Sequence, residues 1–236
     1  MIDQFFYNIL EAYQILFGIT SFFFVIDLGF YYITSRTQYL DKYLISPNKN
    51  NNHLDENYPV ILFNMGVMFV MFLSCFYRLT ITSPLVFFRN PPPLWMLSAE
   101  TFTMLMIDDF YNYWFHRLLH TKFFYKKFHY LHHQSRFPNI LDFIYSHPLE
   151  PFIGSFALLA CYLVFQPHLF SIITSIVIRY LHENEIHSGY DFPFSLTRYI
   201  PIMSSSRHHS IHHLKTVGNY GNTFIIWDKL FGTEIN

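Results

Sequence analysis

Histidine spacing is the feature of this chain that most directly suggests chemistry. A His-x-x-x-His motif starts at His116, and the motif His-x-x-His-His occurs at His129 and again at His209. These spacings place imidazoles on one side of a helix, a turn apart, where several can reach one ion. Imidazole is the commonest metal ligand in proteins, so the repeated pattern predicts metal ligands. The eight predicted ligands are His116, His120, His129, His132, His133, His209, His212 and His213.

Further candidates lie beside these motifs. His187, between the second and third motifs, is predicted to be an additional ligand, and so is His208, which directly precedes the third motif. Glu183, one helical turn before His187, could bind metal or orient an imidazole by accepting its N–H. An orienting role is also a hypothesis for some other side chains. The alternative is a structural role for His147 and, for each acid, an ion pair with Arg117 or Arg198. These side chains are Asp108, Asp109, His147 and Asp191.

The number of imidazoles indicates two ions. A zinc site usually has four protein ligands when structural and three when catalytic, and eight or more histidines exceed that number. Imidazole ligands without thiolate suit redox iron that keeps a position open for oxygen, and they suit zinc or copper equally well. Cys75 and Cys161 lie inside apolar runs, so neither a disulfide nor a cysteine-bound zinc is predicted. No catalytic residue beyond the metal ligands can be named.

Composition indicates a membrane protein. Of the 236 residues, 52% are hydrophobic and 13% are charged, whereas about a quarter of the residues in an ordinary soluble domain are charged. The formal net charge of -1 gives no field that would attract nucleic acid. We therefore expect the lipid bilayer as a partner and no nucleic acid.

Four stretches are apolar enough for membrane segments, which need about 20 residues as a helix. They are residues 15–34, 58–77, 94–115 and 149–181. The third contains Glu100, Asp108 and Asp109, so it is expected to face protein or a polar cavity on one side. The fourth has Pro167 near its middle, and proline breaks a helix interior. We interpret it as a re-entrant hairpin of two short legs, because a single crossing would leave the histidine clusters on opposite sides of the membrane.

Basic residues in the loops predict the orientation. The polar linker 36–57 carries an arginine and two lysines, and the positive-inside rule places it in the cytoplasm. Residues 116–147, two crossings later, are also basic, whereas the short turn 90–95 would be luminal. The first two histidine motifs are therefore expected on the cytoplasmic side.

The sequence thus predicts an all-α integral membrane protein. It would have about four membrane helices, including the re-entrant hairpin, and a cytoplasmic histidine-rich cap that holds two metal ions. We divide it into N-terminal membrane helices with a polar loop, residues 1–94, and a catalytic domain with the histidine motifs and hairpin, residues 95–236.

The order of the histidine motifs resembles that of the fatty acid hydroxylase and sterol desaturase superfamily. Several segments are more similar to its C-4 methylsterol monooxygenase branch. They are HRLLHTKFFYKKFHYLHHQ (116–134), YSHPLEPFIG (145–154) and NEIHSGYDFP (184–193), the last continuing through RHHSIHH to NYGNTFIIWDKLFGT (219–233). By that resemblance the three motifs are the family's histidine boxes, His187 and His208 are added ligands, and the ions are two non-haem irons.

The resemblance also implies an activity and a location. The reaction would be oxidation of the C-4 methyl group of a sterol by oxygen, through alcohol and aldehyde to carboxylate, in sterol biosynthesis. Electrons would come from NAD(P)H through cytochrome b5 and its reductase, and other sterol demethylation enzymes could be partners. The multi-pass chain would lie in the endoplasmic reticulum membrane with its histidine clusters facing the cytosol.

Two alternatives stay open on sequence alone. Another superfamily member, such as a fatty-acyl or sphingolipid hydroxylase or a sterol desaturase, would carry the same motifs. A histidine-rich metal transporter would need ionisable residues along a path inside its spans, whereas these imidazoles cluster at span ends and in cytoplasmic segments. Analysis of the reaction products would distinguish a methylsterol monooxygenase from another superfamily member. Two tightly bound ions per chain would argue against a metal transporter.

Overall fold

A computed structural model describes residues 2–46, 54–82 and 92–236, so residues 47–53 of the linker and the start of the turn 90–95 lie outside the described residues. The described parts form helices joined by turns and contain no β-strand. The prediction of an all-α fold is confirmed for them. Their longer helices are α1 (Ile2–Arg36), α2 (Leu54–Thr82), α3 (Leu94–Leu119), α4 (Leu149–Gly154), α5 (Phe156–Phe165), α6 (Leu169–His187), α7 (Ser206–Lys215) and α8 (Ile226–Phe231).

Helix α1 exposes apolar side chains and buries polar ones. Phe22 and Val25 are 62% and 66% exposed, whereas Asp27 is 1% exposed. The Asp27 carboxylate accepts hydrogen bonds from the Tyr180 hydroxyl and from the Asn184 amide of α6. A buried polar group needs such partners, so this cluster holds α1 against α6 while the apolar faces of α1 point outward.

Helix length and composition support fewer membrane crossings than the sequence analysis predicted. In the described part of the chain, the helix over Phe17–Arg36 is the one that is both long and apolar enough to cross a membrane. The apolar helical segments Asn57–Met71 and Leu149–Phe165 are shorter. The prediction of about four membrane helices therefore goes beyond what these criteria establish.

The segment predicted to be a hairpin runs out and back along α3. Its far end lies at Glu100, whose carboxylate accepts the backbone N–H of His168 at 3.0 Å and the hydroxyl of Ser171. Its near end lies at Asn112, whose amide donates to the Gly154 carbonyl at 3.2 Å. Helices α5 and α6 are thus two legs packed on one helix, and the end of α6 lies near the end of α3.

The acidic residues of α3 face protein, as expected. Asp108 and Asp109 are each 1% exposed. Asp108 forms an ion pair with Arg179 of α6, and Asp109 accepts the backbone N–H groups of Thr223 and Phe224 at 2.7 and 2.9 Å. These contacts fix α6 and the C-terminal segment to α3, the helix that carries the first two histidines.

Candidate metal centre

Nine imidazoles converge at the ends of α3, α6 and α7 and form two neighbouring groups. The first group consists of His116, His120, His129, His133 and His212. The second group consists of His132, His187, His209 and His213. Within each group the ligand nitrogens lie within 4.8 Å of one another, and all but His120 are buried. The structure therefore brings together the eight histidines of the three motifs, with His187 as a ninth.

Each His-x-x-His-His motif contributes to both groups. In the second motif His129 and His133, four residues apart, join the first group, whereas His132 joins the second. The third motif is the mirror image, because His209 and His213 join the second group and His212 joins the first. The repeated motif thus interlocks the two groups, which explains why the adjacent histidine pair occurs twice.

Irregular helical turns set this arrangement in the second motif. The chain leaves α3, forms the turn Lys122–Phe124 and continues in a wider π-helical turn, Tyr125–His129. The Tyr130 N–H donates to the Tyr125 carbonyl at 2.8 Å, a spacing that occurs often at functional sites. His129 then faces His116, with their Nε2 atoms 3.1 Å apart. A 3₁₀ turn, His132–Gln134, turns His132 to the other group.

The second nitrogen of most of these rings is held by an oxygen acceptor. The Nδ1 atoms of six imidazoles lie 2.6–3.3 Å from backbone carbonyls, and Nδ1 of His129 lies 2.6 Å from the Glu150 carboxylate. Carbonyl and carboxylate oxygens can only accept hydrogen bonds, so each of these Nδ1 atoms carries the hydrogen. The Nε2 lone pairs of these seven rings therefore point into the two groups, as in metal-binding histidines. The seven rings are His116, His120, His129, His132, His187, His212 and His213.

The spacing of the Nε2 atoms fits metal ligation. Neighbouring Nε2 atoms lie 3.0–3.4 Å apart in both groups. Metal–nitrogen bonds of about 2.0–2.1 Å place adjacent ligands roughly 2.9–3.4 Å apart at angles between a right angle and the tetrahedral value. The His116–His129 and His132–His187 contacts, one in each group, join Nε2 atoms that are both unprotonated. Such atoms cannot hydrogen-bond to each other, so a cation is the partner that they fit.

Burial keeps these imidazoles neutral. Burial, together with neighbouring imidazoles, lowers the pKa of His132 to about 3 and that of His187 to about 4. Burial and nearby imidazoles also hold the pKa of His209 and His213 well below the ordinary value. A metal ligand must be neutral imidazole, so the rings are ready to bind at neutral pH.

His208 lies outside both groups, in contrast to the expectation from its position beside the third motif. Its Nδ1 lies 3.1 Å from the Ser204 hydroxyl, and its Nε2 lies 3.9 Å from the Asp228 carboxylate. His208 is on the first turn of α7, which is capped by Ser205. Although His208 lies one turn before His212, its ring is directed to Ser204 and Asp228 and away from the first group.

The other sequence candidates make contacts that differ from the expected support of imidazoles. Asp191 forms ion pairs with Arg198 and Arg207 at 3.4 and 3.2 Å, which was the alternative for it. His147 packs on the ring of Phe128 and accepts the Leu149 N–H at 3.3 Å, at the start of α4.

The three remaining acids hold other parts of the protein. Asp108 binds Arg179, and Asp109 binds the C-terminal segment. Glu183 accepts the His187 Nδ1–H with its backbone carbonyl at 2.8 Å, and its carboxylate oxygen Oε2 lies 3.7 Å from the same nitrogen.

Two carboxylates that support the site were missed from sequence. Glu150 holds His129, and its Oε1 accepts the His147 N–H at 3.3 Å. Asp228 is fully buried and accepts the N–H groups of Tyr220 and Gly221, both at 2.8 Å. It fixes the loop whose Tyr220 carbonyl accepts from His116 at 3.0 Å. Glu150 and Asp228 are each an acid within an apolar stretch, and this is the sequence feature that could have identified them.

A largely apolar cavity of about 540 Å³ opens at the two groups. It starts between α1 and α2 at side chains such as Phe17, Phe24 and Phe69, and it ends at five of the nine imidazoles. Small-molecule sites commonly have volumes of roughly 300–1,000 Å³. The five imidazoles at its end are His116, His129, His132, His187 and His209.

The family model described as Fatty acid hydroxylase matches residues 101–233. Methylsterol monooxygenase 2-2 of Arabidopsis thaliana is 33% identical over 232 residues, which cover 91% of this chain and 82% of that protein. Methylsterol monooxygenase 1 of Rattus norvegicus is 35% identical over 144 residues, 61% of this chain and 49% of the rat protein.

A third relative has a different name. Very-long-chain aldehyde decarbonylase GL1-11 of Oryza sativa subsp. indica is 38% identical over 148 residues, 61% of this chain and 56% of the rice protein. The chain thus spans about half the length of the rat and rice relatives. No solved structure matches it.

Proposed function

The chain belongs to the fatty acid hydroxylase family, and from this premise we propose that it oxidises the C-4 methyl group of a sterol intermediate with oxygen. In the first round one oxygen atom enters a C–H bond of the methyl group and the other leaves as water, with an electron pair from NAD(P)H and protons from solvent. Further rounds take the alcohol to the aldehyde and the aldehyde to the carboxylate.

The observation that carries this proposal is the position of both imidazole groups at one end of an apolar cavity. Non-haem iron held by each group would supply the oxygen chemistry at that end. The protein contributes aromatic walls that exclude water from the reacting carbon. The carbonyls and the Glu150 carboxylate behind seven of the nine imidazoles keep these rings in the tautomer that binds metal.

A membrane location follows from the same proposal. Lipid-facing helices place apolar side chains outward, and polar side chains inside membrane segments face protein. Helix α1 has this arrangement, with Phe22 and Val25 outside and Asp27 inside. The cavity also reaches α1 and α2, so a sterol would enter from the bilayer. We propose a multi-pass protein of the endoplasmic reticulum with its metal groups on the cytosolic side.

We propose cytochrome b5 and its reductase as the electron source, with other sterol demethylation enzymes acting on the product. An acidic electron donor would be attracted by positive charge near the metal groups. The exposed side chains of Lys122, Lys126 and Lys127 lie on the turns that lead to His129 and support docking there.

The experiment is an oxidation assay in membranes. The full chain is supplied with oxygen, NADH, cytochrome b5 and its reductase, and a 4,4-dimethylsterol. The 4-carboxylate is expected as product, and the variant His132→Ala, which removes a ring from the second group, should not form it. Absence of any oxidised sterol, with two irons bound per chain, would reject the sterol substrate.

A second candidate substrate is a long-chain aldehyde. The rice relative, named for very-long-chain aldehyde decarbonylation, favours it, and a long alkyl chain would also suit an apolar cavity. Supplying the same assay with a long-chain aldehyde and measuring the alkane decides between the two. Alkane formation without sterol oxidation would establish the second candidate.

A further inference from the structure

Asn222 presents an unpaired acceptor at the metal end of the cavity. Two of the described residues that line the cavity have a buried side-chain atom without a hydrogen-bond partner: Nδ1 of His209 and Oδ1 of Asn222. The His209 atom is on the side of the ring opposite to Nε2, which belongs to the second group. The amide oxygen of Asn222 is therefore an acceptor that a ligand in the cavity can use, and a buried acceptor left unpaired is costly.

The orientation of the Asn222 amide is fixed by its neighbour. Its Nδ2 lies 3.1 Å from Oε1 of Glu183, and a carboxylate can only accept, so the NH₂ group must face Glu183 and the oxygen must face away. Arg179 lies 3.8 Å from the same Glu183 oxygen and holds it from the other side. The nearby His116 cannot supply a proton to Oδ1, because its Nδ1–H donates to the Tyr220 carbonyl.

Asn222 lies beside Glu183 at the end of the cavity that is lined by imidazoles. The first group has five imidazoles and the second has four. In the first group His116 and His120 form a pair one turn apart on α3, whereas on α6 the residue one turn before His187 is Glu183. One oxygen of that carboxylate accepts from Asn222, and the other lies 3.7 Å from Nδ1 of His187. Glu183 and Asn222 thus line the cavity beside imidazoles of both groups.

We propose that Asn222 positions the sterol by accepting a hydrogen bond from the hydroxyl at C-3. This inference rests on the proposed function, because C-3 is the carbon bonded to C-4 and its hydroxyl must lie beside the methyl group that reacts. When the hydroxyl binds Asn222, the methyl group lies at the end of the cavity lined by imidazoles. The rest of the sterol is apolar and lies along the cavity towards α1 and α2.

The test compares two sterols that differ at one position. Equilibrium binding of a radiolabelled 4,4-dimethylsterol and of its 3-deoxy analogue is measured on the full chain loaded with zinc, which binds without turnover. Asn222→Ala should weaken binding of the 3-hydroxy sterol about three- to tenfold, the value of one neutral hydrogen bond, and should leave the 3-deoxy analogue unaffected. Asn222→Ser, which keeps an oxygen, should retain part of the preference.

The control is Ser155→Ala, which changes another cavity-lining polar residue whose hydroxyl donates to the Phe152 carbonyl at 2.9 Å. Ser155→Ala should change the affinity for the 3-hydroxy sterol and for the 3-deoxy analogue by the same factor. Equal loss for both sterols in Asn222→Ala, or no loss, would overturn the proposal, and loss of one bound ion would overturn it in favour of a metal-binding role. Failure of the proposed function is a separate result: the wild-type protein loaded with iron would bind the hydroxysterol selectively and yet form no oxidised product.

Discussion

Replacing Glu150 by glutamine is expected to weaken metal binding at the first histidine group about tenfold. The Glu150 carboxylate lies 2.6 Å from Nδ1 of His129. A hydrogen bond to a charged group contributes about 1.5–3 kcal/mol and a neutral one about 0.5–1.5 kcal/mol. Exchanging the carboxylate for an amide therefore removes about 1–1.5 kcal/mol from the support of His129, which corresponds to roughly 5- to 13-fold in affinity. Loss of such outer contacts commonly weakens metal binding roughly 10- to 100-fold.

The assay is a competitive titration of the metal-free protein with zinc and a chelator, which gives the affinity of each ion. Glu150→Gln should lower the affinity for one ion and leave the affinity for the other unchanged. Glu185→Gln is the matched control, because that carboxylate is also partly buried but accepts from the hydroxyls of Ser195 and Thr197. Wild-type affinity for both ions in Glu150→Gln, or an equal loss in Glu185→Gln, would refute the reasoning.

Three further predictions concern ligands, backbone and pH. His208→Ala should retain two ions per chain by elemental analysis and His213→Ala should lose one; loss in both variants would mean that His208 binds metal. Gly218→Ala should lower the thermal unfolding midpoint in detergent, since φ is +67° and a new Cβ would lie 2.7 Å from a backbone oxygen; the left-handed backbone alone costs about 1–2 kcal/mol. The metal-free protein should lose stability as pH falls from 6.5 towards 4, measured by denaturant unfolding. Burial lowers the pKa of His132 and His187 to about 3 and 4, so the unfolded chain takes up protons first in this range, and constant stability would contradict this.

The ligand histidines could be predicted from sequence because helix geometry is local. Four-residue spacing brings two imidazoles to one side of a helix whatever surrounds them, and every such pair within the three motifs lies in one group. The division into two groups could not be predicted. It depends on which rings from separate segments of the chain meet, and in the second motif also on the π-helical turn Tyr125–His129 and the 3₁₀ turn that begins at His132.

The residues that support the imidazoles were harder to predict because their contacts are tertiary. His120 donates to the Thr216 carbonyl at 2.9 Å and His212 to the Gly218 carbonyl at 2.6 Å. Any residue type offers a carbonyl, so sequence carries no mark of these acceptors. An acid in an apolar stretch is visible in the sequence, but the group that it contacts is not. Asp109 was expected to orient an imidazole, and it accepts backbone N–H groups of the C-terminal segment instead.

The most direct test of the two-ion centre is the metal content of the full chain. Protein purified without oxygen in detergent and analysed by inductively coupled plasma mass spectrometry should contain two irons per chain. His129→Ala and His209→Ala, one from each group, should each reduce the content to one, and the double variant should reduce it to none. One iron per chain in the wild-type protein, or a double variant that still holds two, would contradict the account.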